Sequence, residues 1–420
     1  MGLLNTAYEV PQLFHALSEG AVNSLQATCR QARTMVHSHV TVLDVGAYRP
    51  DLLADIKLLV SRNWPQLATL NLAMAGLTHE SVDMLSRGSW PFLWSLNLRG
   101  NDLDAPEMQQ FNRGQWPSLR VLNLSHNAMS SSAIAYLIHA NLPVLELLDL
   151  SYSAVKTSIA TLTKCSWPHL QTLNLCSNRL TLESMSQLVQ GEWPLLISLN
   201  VSSNFIPTSA IGELKSASWP LLQQLNLLGC LHQEMFIDQY VAQQQAFHNL
   251  SRSAWQHLED LNLASCNLNA ANMRQLCAAQ WPQLTSLNVS ASSLHGQSLK
   301  NLIDCQWLRL HVLDLKFCDV DLAAVSYLVK AQWPLLSRLS LSGNAIHADG
   351  FEVLIQAEWP MLTRLDLSRN YLGSGSVVRF ANGRELPLRD GTNVIVPPAW
   401  LLKQWPKLDL LDLSICNCEF

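Results

Sequence analysis

The chain has 420 residues and an almost balanced charge, 27 Lys and Arg against 32 Asp and Glu, for a net −5. Only 14% of its residues are charged, against ~25% in an average soluble domain, which excludes a broad electrostatic pull on nucleic acid or anionic lipid. No apolar run reaches the ~18 residues a membrane-spanning helix needs, and the N-terminus lacks a charged-then-apolar signal segment.

Residues 1–39 show no internal repetition. Pro11-Gln12-Leu13-Phe14-His15-Ala16-Leu17 and residues 20–36 carry helical spacing, with Leu25, Cys29 and Ala32 on one face, and predict two or three short helices. A small helical cap over the first element of an array is one reading of them. The start Met1-Gly2-Leu3-Leu4-Asn5-Thr6 also fits the pattern for N-myristoylation at Gly2, a single and marginal anchor. Cys29, His37 and His39 could be drawn as metal ligands, but a zinc site usually takes four, and neither a metal nor any other cofactor is expected.

From Val40 onward one pattern recurs. Taking a Trp as zero, Leu stands at +3 and +6, Leu or Val at +8, and Asn or Cys at +11, as in Trp116-Pro117-Ser118-Leu119-Arg120-Val121-Leu122-Asn123-Leu124-Ser125-His126-Asn127. The anchors are Trp64, Trp90, Trp116, Leu142, Trp167, Trp193, Trp219, Trp255, Trp281, Trp307, Trp333, Trp359 and Trp405, and ten of the twelve spacings are 25 or 26 residues. The other two, 36 and 46, place insertions near 231–246 and 374–396. This pattern resembles the leucine-rich-repeat signature, in which +6 and +8 point inward from a short strand and +11 ties off the turn behind it. Val40 to Tyr48 has the strand pattern too, so about fourteen repeats are expected over 40–420. The resemblance implies an α/β solenoid, a horseshoe with a parallel concave sheet and convex helices, as one domain of unusual length.

After +13 each unit reads as a helix with apolar residues at +18, +21 and +22, such as Leu182-Glu183-Ser184-Met185-Ser186-Gln187-Leu188. Pro follows the anchor in eleven of thirteen units and stops the helix before the next strand. The anchoring Trp column, at core periodicity, predicts a buried spine. Of ten Cys, four occupy +11 (Cys230, Cys266, Cys318, Cys416), too far apart to bridge one another. Buried thiols used in this way favour a reducing compartment, cytoplasm or nucleus.

The 26-residue period with Cys at +11 resembles the repeats that follow the F-box in ubiquitin-ligase receptors. Leu25-x-x-x-Cys29-x-x-x-Arg33, leading through Val40-Thr41-Val42-Leu43-Asp44-Val45 into the first strand, resembles the C-terminal half of an F-box. That likeness implies adaptor contacts from Pro11, Leu13, Leu17 and Leu25.

Gly373-Ser374-Gly375 lacks the third Gly of a nucleotide loop, Cys416-Asn417-Cys418 is no metal spacing, and no hydrolase, zincin or Walker pattern occurs, so no catalysis is expected. Binding should fall on +5, +7 and +9, which alternate onto the open face of the strands. Position +7 is Asn in eight repeats and Asp in four. That column reads either as hooks for a partner or, more simply, as a side-chain ladder bonding along the sheet. The sequons at Asn123, Asn200 and Asn288 are by-products of the column. Early units hold mainly small neutral residues at +5 and +9, whereas the last four bring Asp314, Lys316, Phe317, Arg338, Arg364, Asp366, Arg369 and Asp412 together. Arg338 and Arg364 share a column in adjacent strands, where they could grip one carboxylate or phosphate, or pair with the Asp column. Of the insertions, the first reads as helical around residues 235–241, and the second as a long loop carrying Arg379, Arg384 and Arg389. The expected partner is a protein, not a nucleic acid. The expected role is substrate recognition in an F-box type ubiquitin ligase, with a stand-alone binding scaffold or inhibitor as the alternative.

Overall fold

The computed structural model describes residues 40–46, 52–61, 64–204, 206–230, 238–305, 307–372, 377–379, 385–387, 394–395, 397–414 and 416. The predicted cap lies outside them, and with it Gly2, Pro11, Leu13, Leu17, Leu25, Cys29, His37 and His39.

Each repeat makes a strand of only three residues, +5 to +7, because the chain has few residues to spare before it must cross back over the Leu row. Its middle residue is the +6 Leu. The chain divides into two compact units, Met1–Asn178 with Gly191–Leu196, and Arg179–Gln190 with Ile197–Phe420. The first holds β1 (Val42–Asp44), β2 (Thr69–Asn71), β3 (Ser95–Asn97), β4 (Val121–Asn123), β5 (Leu147–Asp149) and β6 (Thr172–Asn174), each parallel to the next. In the second, β7 (Ser198–Asn200), β8 (Gln224–Asn226), β9 (Asp260–Asn262), β10 (Ser286–Asn288), β11 (Val312–Asp314), β12 (Arg338–Ser340) and β13 (Arg364–Asp366) likewise run parallel in chain order. Equal repeat length sets the register, so Leu pairs with Leu across each interface, as in Leu313 with Leu339 and Leu339 with Leu365. Parallel strands one repeat apart with helical crossovers are the leucine-rich-repeat solenoid fold.

The second insertion departs from the expected loop. It contains an antiparallel ribbon of β14 (Val377–Arg379) with β15 (Glu385–Pro387), and then β16 (Val394–Ile395), which pairs antiparallel with the last repeat strand, β17 (Leu410–Asp412). β-branched and apolar residues at Val377, Val378, Val394 and Ile395 favour extended backbone, and the intervening Asn382-Gly383 is a hairpin signal. β16 covers an edge that β17 would otherwise leave open to strand addition. The first insertion is helical as expected. The helix Asp238–Leu250 runs 13 residues where the helix Ala270–Leu276 has seven, and it seats Phe247 and Leu250 in the core as other units seat their last two apolar residues.

The crossovers are short helices whose starts are capped by side chains: Asp321 accepts from Ala324 N at 2.8 Å, and Asn269 from Ala271 N at 3.0 Å. Their inward faces are apolar, for example Met108 with Phe111 and Phe351 with Leu354, all fully buried. The Trp column forms the expected spine. Rings 333 and 359 stack at 6.3 Å, as do 359 and 405, and several indoles donate to carbonyls at the end of the helix before them, Trp90 to Leu85 O at 2.9 Å and Trp64 to Leu59 O at 2.8 Å.

Position +11 binds repeat to repeat. Asn344 Nδ2 donates to Leu315 O of the preceding unit at 2.9 Å and to Leu341 O of its own at 2.8 Å, while Oδ1 accepts from Cys318 N and Val320 N at 2.9 and 3.0 Å. Asn127 does the same for Leu98 O, Leu124 O, Asn101 N and Leu103 N, at 2.9 to 3.1 Å. A Cys at +11 keeps the donor half of this arrangement: the Sγ atoms of Cys230, Cys266 and Cys416 point at Val201 O, Leu227 O and Leu367 O, at 3.1, 3.2 and 3.2 Å. Burial pushes the thiol pKa of Cys266 and Cys318 up to about 12, so both stay protonated and able to donate at neutral pH.

Asn344→Ala strands two carbonyls and two N–H groups in the core and should cost about 2 to 4 kcal/mol, whereas Asn344→Cys, which retains a donor, should cost roughly half as much. Urea denaturation of the full chain measures the difference.

Candidate functional site

The open face begins where each strand ends. A chain leaving a three-residue strand needs a partner for the next free N–H, and +7 supplies it: Oδ1 accepts from the N–H of its own +9 residue. The distances are 2.9 Å for Asn123 and Ser125, 2.8 Å for Asp149 and Ser151, and 3.0 Å for Asp314 and Lys316. This corrects the ladder expected along the sheet. The +7 column is a series of local side-chain turns within single repeats, with contacts to neighbouring strands at Asn71 Nδ2 to Asp44 Oδ1 (3.0 Å) and Ser340 Oγ to Asp366 Oδ2 (3.0 Å). A turn of this kind needs only an acceptor oxygen, which explains why Asn and Asp alternate there.

One residue further on, the backbone turns left-handed. All twelve described +10 residues have φ between 51° and 67°: Met74, Gly100, His126, Tyr152, Ser177, Ser203, Gly229, Ser265, Ala291, Phe317, Gly343 and Arg369. Each is held by an N–H bond to the +9 carbonyl of the following repeat, as in His126 N to Ser151 O at 2.8 Å and Phe317 N to Ser342 O at 2.9 Å. Columns +5, +7 and +9 alone miss this rim. The signal that marks it in sequence is a column in which Gly100, Gly229 and Gly343 stand among large side chains.

In the second unit the named charges fall on β11 to β13, β17 and the rim beside them. Lys316 reaches over the small Ser340 to Asp366, at 3.6 Å. Asp366 also accepts from Ser340 and from Ser368 Oγ, the latter at 2.6 Å. Arg338 and Arg364 are register partners on adjacent strands and both are exposed. Among the described residues neither guanidinium has a hydrogen-bond or ion-pair partner, so the expected alternative, in which they pair with the Asp column, is not what forms: those carboxylates are taken by their own +9 N–H groups and by Lys316. Phe317 is 51% exposed and its ring lies across Gly343, where any Cβ would collide with it. Arg369 follows on the same rim, exposed. Asp412 sits at the end of β17, accepting from Ser414 N at 2.9 Å. Arg379 lies in β14, and Arg384 and Arg389 fall outside the described residues.

The first unit carries a different set. Arg99 Nη2 is 3.3 Å from His126 Nε2, and the His126 ring stacks on Tyr152 with centroids 4.3 Å apart and planes 13° from parallel. Met74 and Tyr152 are 59% and 54% exposed.

Away from this face, Cys277 and Cys305 form a disulfide with Cα atoms 4.7 Å apart. They sit at the ends of consecutive outer helices and not in the +11 column, so the argument that column cysteines cannot meet does not reach them; their bond is a departure from the all-thiol expectation. Among the described residues no helix is long and apolar enough to cross a membrane, and no group of three His, Cys, Asp or Glu side chains gathers as metal ligands.

Residues 117–137 match a family described as Leucine Rich repeat, over one repeat of the array. No curated protein matches the chain. Among solved structures, a chain from the crystal structure of a TLR13–ssRNA13 complex is similar at 18% identity and a TM-score of 0.46, over 79% of this chain and 46% of that one. The present chain thus spans less than half of that relative's length.

Burial raises the Asp314 pKa, against the lowering effects of the Lys316 N–H and the Lys316 charge. A carboxyl raised on folding gives stability that is full below its unfolded value of ~3.9 and is lost as pH climbs through the folded value. Asp314→Asn keeps the acceptor oxygen and removes the buried charge. It should therefore raise Tm at pH 7, with the gain shrinking to nothing as the pH falls toward 3.5, in thermal melts across that range.

Proposed function

We propose that this chain is a non-catalytic recognition module that binds a protein partner on the strand face of its second unit. The observation that carries this reading is the pair Arg338 and Arg364, two exposed guanidiniums held in register on neighbouring strands and left without a counter-ion among the described residues. Exposed unpaired Arg on a rigid scaffold is poised for a carboxylate of a partner. Phe317, half exposed beside them, adds the aromatic contact typical of interface centres. Lys316 and Asp366 neutralise one another and position the neighbouring side chains.

Within that reading the finer assignment is the substrate-recognition subunit of an F-box type ubiquitin ligase. It is supported by Leu25, Cys29 and Arg33 in F-box spacing directly ahead of the repeats and by Cys at +11 in four of them. In that role residues 1–39 would meet the adaptor through Pro11, Leu13, Leu17 and Leu25, and the second unit would meet the substrate, with Arg379, Arg384 and Arg389 of the insertion beside it. A stand-alone scaffold or inhibitor would use the same face without the adaptor. The setting that follows from the ligase reading is the cytoplasm or nucleus.

Two measurements separate these levels. Arg338→Ala with Arg364→Ala should weaken binding to a partner captured by the full chain by about 2 to 5 kcal/mol, while Thr172→Ala with Ser198→Ala, in the same column of earlier repeats, should change it little, by calorimetry. Co-expression with the F-box adaptor should yield a complex that Leu13→Asp and Leu25→Asp abolish. Absence of any complex with the intact chain would leave the scaffold reading in place.

A further inference from the structure

We propose that the strand-exit rim of the first unit, formed by Met74, Arg99, His126 and Tyr152, is a second docking surface, and that its occupant is an extended peptide segment bearing a carboxylate next to an apolar or aromatic side chain. The argument starts from the backbone. At +10 the fold imposes a left-handed conformation, which costs any L side chain free energy that Gly does not pay. Gly100, Gly229 and Gly343 show that the turn accepts Gly. Met74, His126 and Tyr152 nonetheless hold large side chains there, at φ 52°, 56° and 55°, and bury none of the three in the core. Bulk that costs stability and returns no burial is what a binding surface requires.

The arrangement of these side chains indicates the chemistry. Met74, Gly100, His126 and Tyr152 occupy the same position in four consecutive repeats, so at ~4.8 Å per strand the strip runs about 15 Å, the reach of four or five residues of extended chain. Tyr152 and His126 present stacked π faces, and Met74 a thioether that adapts to apolar shapes. Arg99 extends beside them toward His126 Nε2 and, among the described residues, has no carboxylate partner. From +5 to +10 over β1 to β6 the only acids are Asp44 and Asp149, and each already accepts an N–H of its own repeat, from Gly46 and Ser151 at 2.9 and 2.8 Å. Asp102, exposed in the turn beyond, makes no ion pair with Arg99. The open charge on this strip is therefore positive and a partner carboxylate complements it. A single guanidinium cannot follow a phosphate backbone, which favours a peptide over a nucleic acid.

The test uses the full chain, with a random-peptide display library as one probe and a mixed-sequence single-stranded oligonucleotide as the other. Enriched peptides should share an acidic residue next to an apolar or aromatic one. Their affinity should fall at least about tenfold, or ~1.4 kcal/mol, on each of Arg99→Gln, His126→Gly and Tyr152→Gly. The two Gly variants should melt no lower than the wild type, and Tyr152→Gly should melt above Tyr152→Ala, because Gly relieves the left-handed backbone and Ala does not. That stability readout separates a binding role from a structural one. Failure to enrich any peptide, enrichment of peptides lacking an acid, affinity indifferent to the three variants, melting of the Gly variants below the wild type, or binding of the oligonucleotide through Tyr152 would each overturn the proposal.

Discussion

Everything on the open face depends on how the buried turn behind it is satisfied. In a solenoid each repeat must change direction inside the core, where an unmet N–H or carbonyl has no water to turn to. The +11 amide resolves this for two repeats at once, since Asn344 serves Leu341 O of its own unit together with Leu315 O, Cys318 N and Val320 N of the unit before. Because the bonds cross between repeats, they also fix the rise from one strand to the next, and with it the spacing of every exposed column. Arg338 and Arg364 are neighbours because the backbones beneath them are tied in this way.

Two kinds of surface sit on that frame. One lies on the strands themselves, where side chains alternate without strain and charge can be placed freely, as in β11 to β13. The other lies on the rim, where a side chain larger than Gly is held against the preference of its own backbone. Phe317 belongs to the second kind although it adjoins the first, and its flat seating on Gly343 depends on the lack of a Cβ there.

Repetition made the fold legible: a register error at one Trp would be contradicted by the Leu and Asn columns of twelve other units. The same redundancy made Arg338 and Arg364 visible as a break in a neutral column, and it placed the helix of the first insertion. Features that occur once were harder to read. The ribbon of β14 and β15 has no sister segment to confirm it, although Asn382-Gly383 between two apolar runs was a usable signal. Cys277 and Cys305, at +22 and +24 of their repeats, lie in no shared column, and only the packing of consecutive helices brings them together. The +7 column was misread for a chemical reason: a ladder along the sheet and a turn within one repeat call for the same amide, and composition alone does not tell them apart. The rim at +10 escaped because its common property is a backbone angle and not a residue type.

The turn at +7 uses one side-chain oxygen and leaves the other terminal atom free. Exchange between amide and acid is therefore close to silent for the framework while it rewrites the potential of the face by one charge per repeat. Eight Asn and four Asp occupy the column now, so descendants of this chain could drift between neutral and acidic faces by single substitutions, acquiring or discarding partners without first acquiring a more robust scaffold.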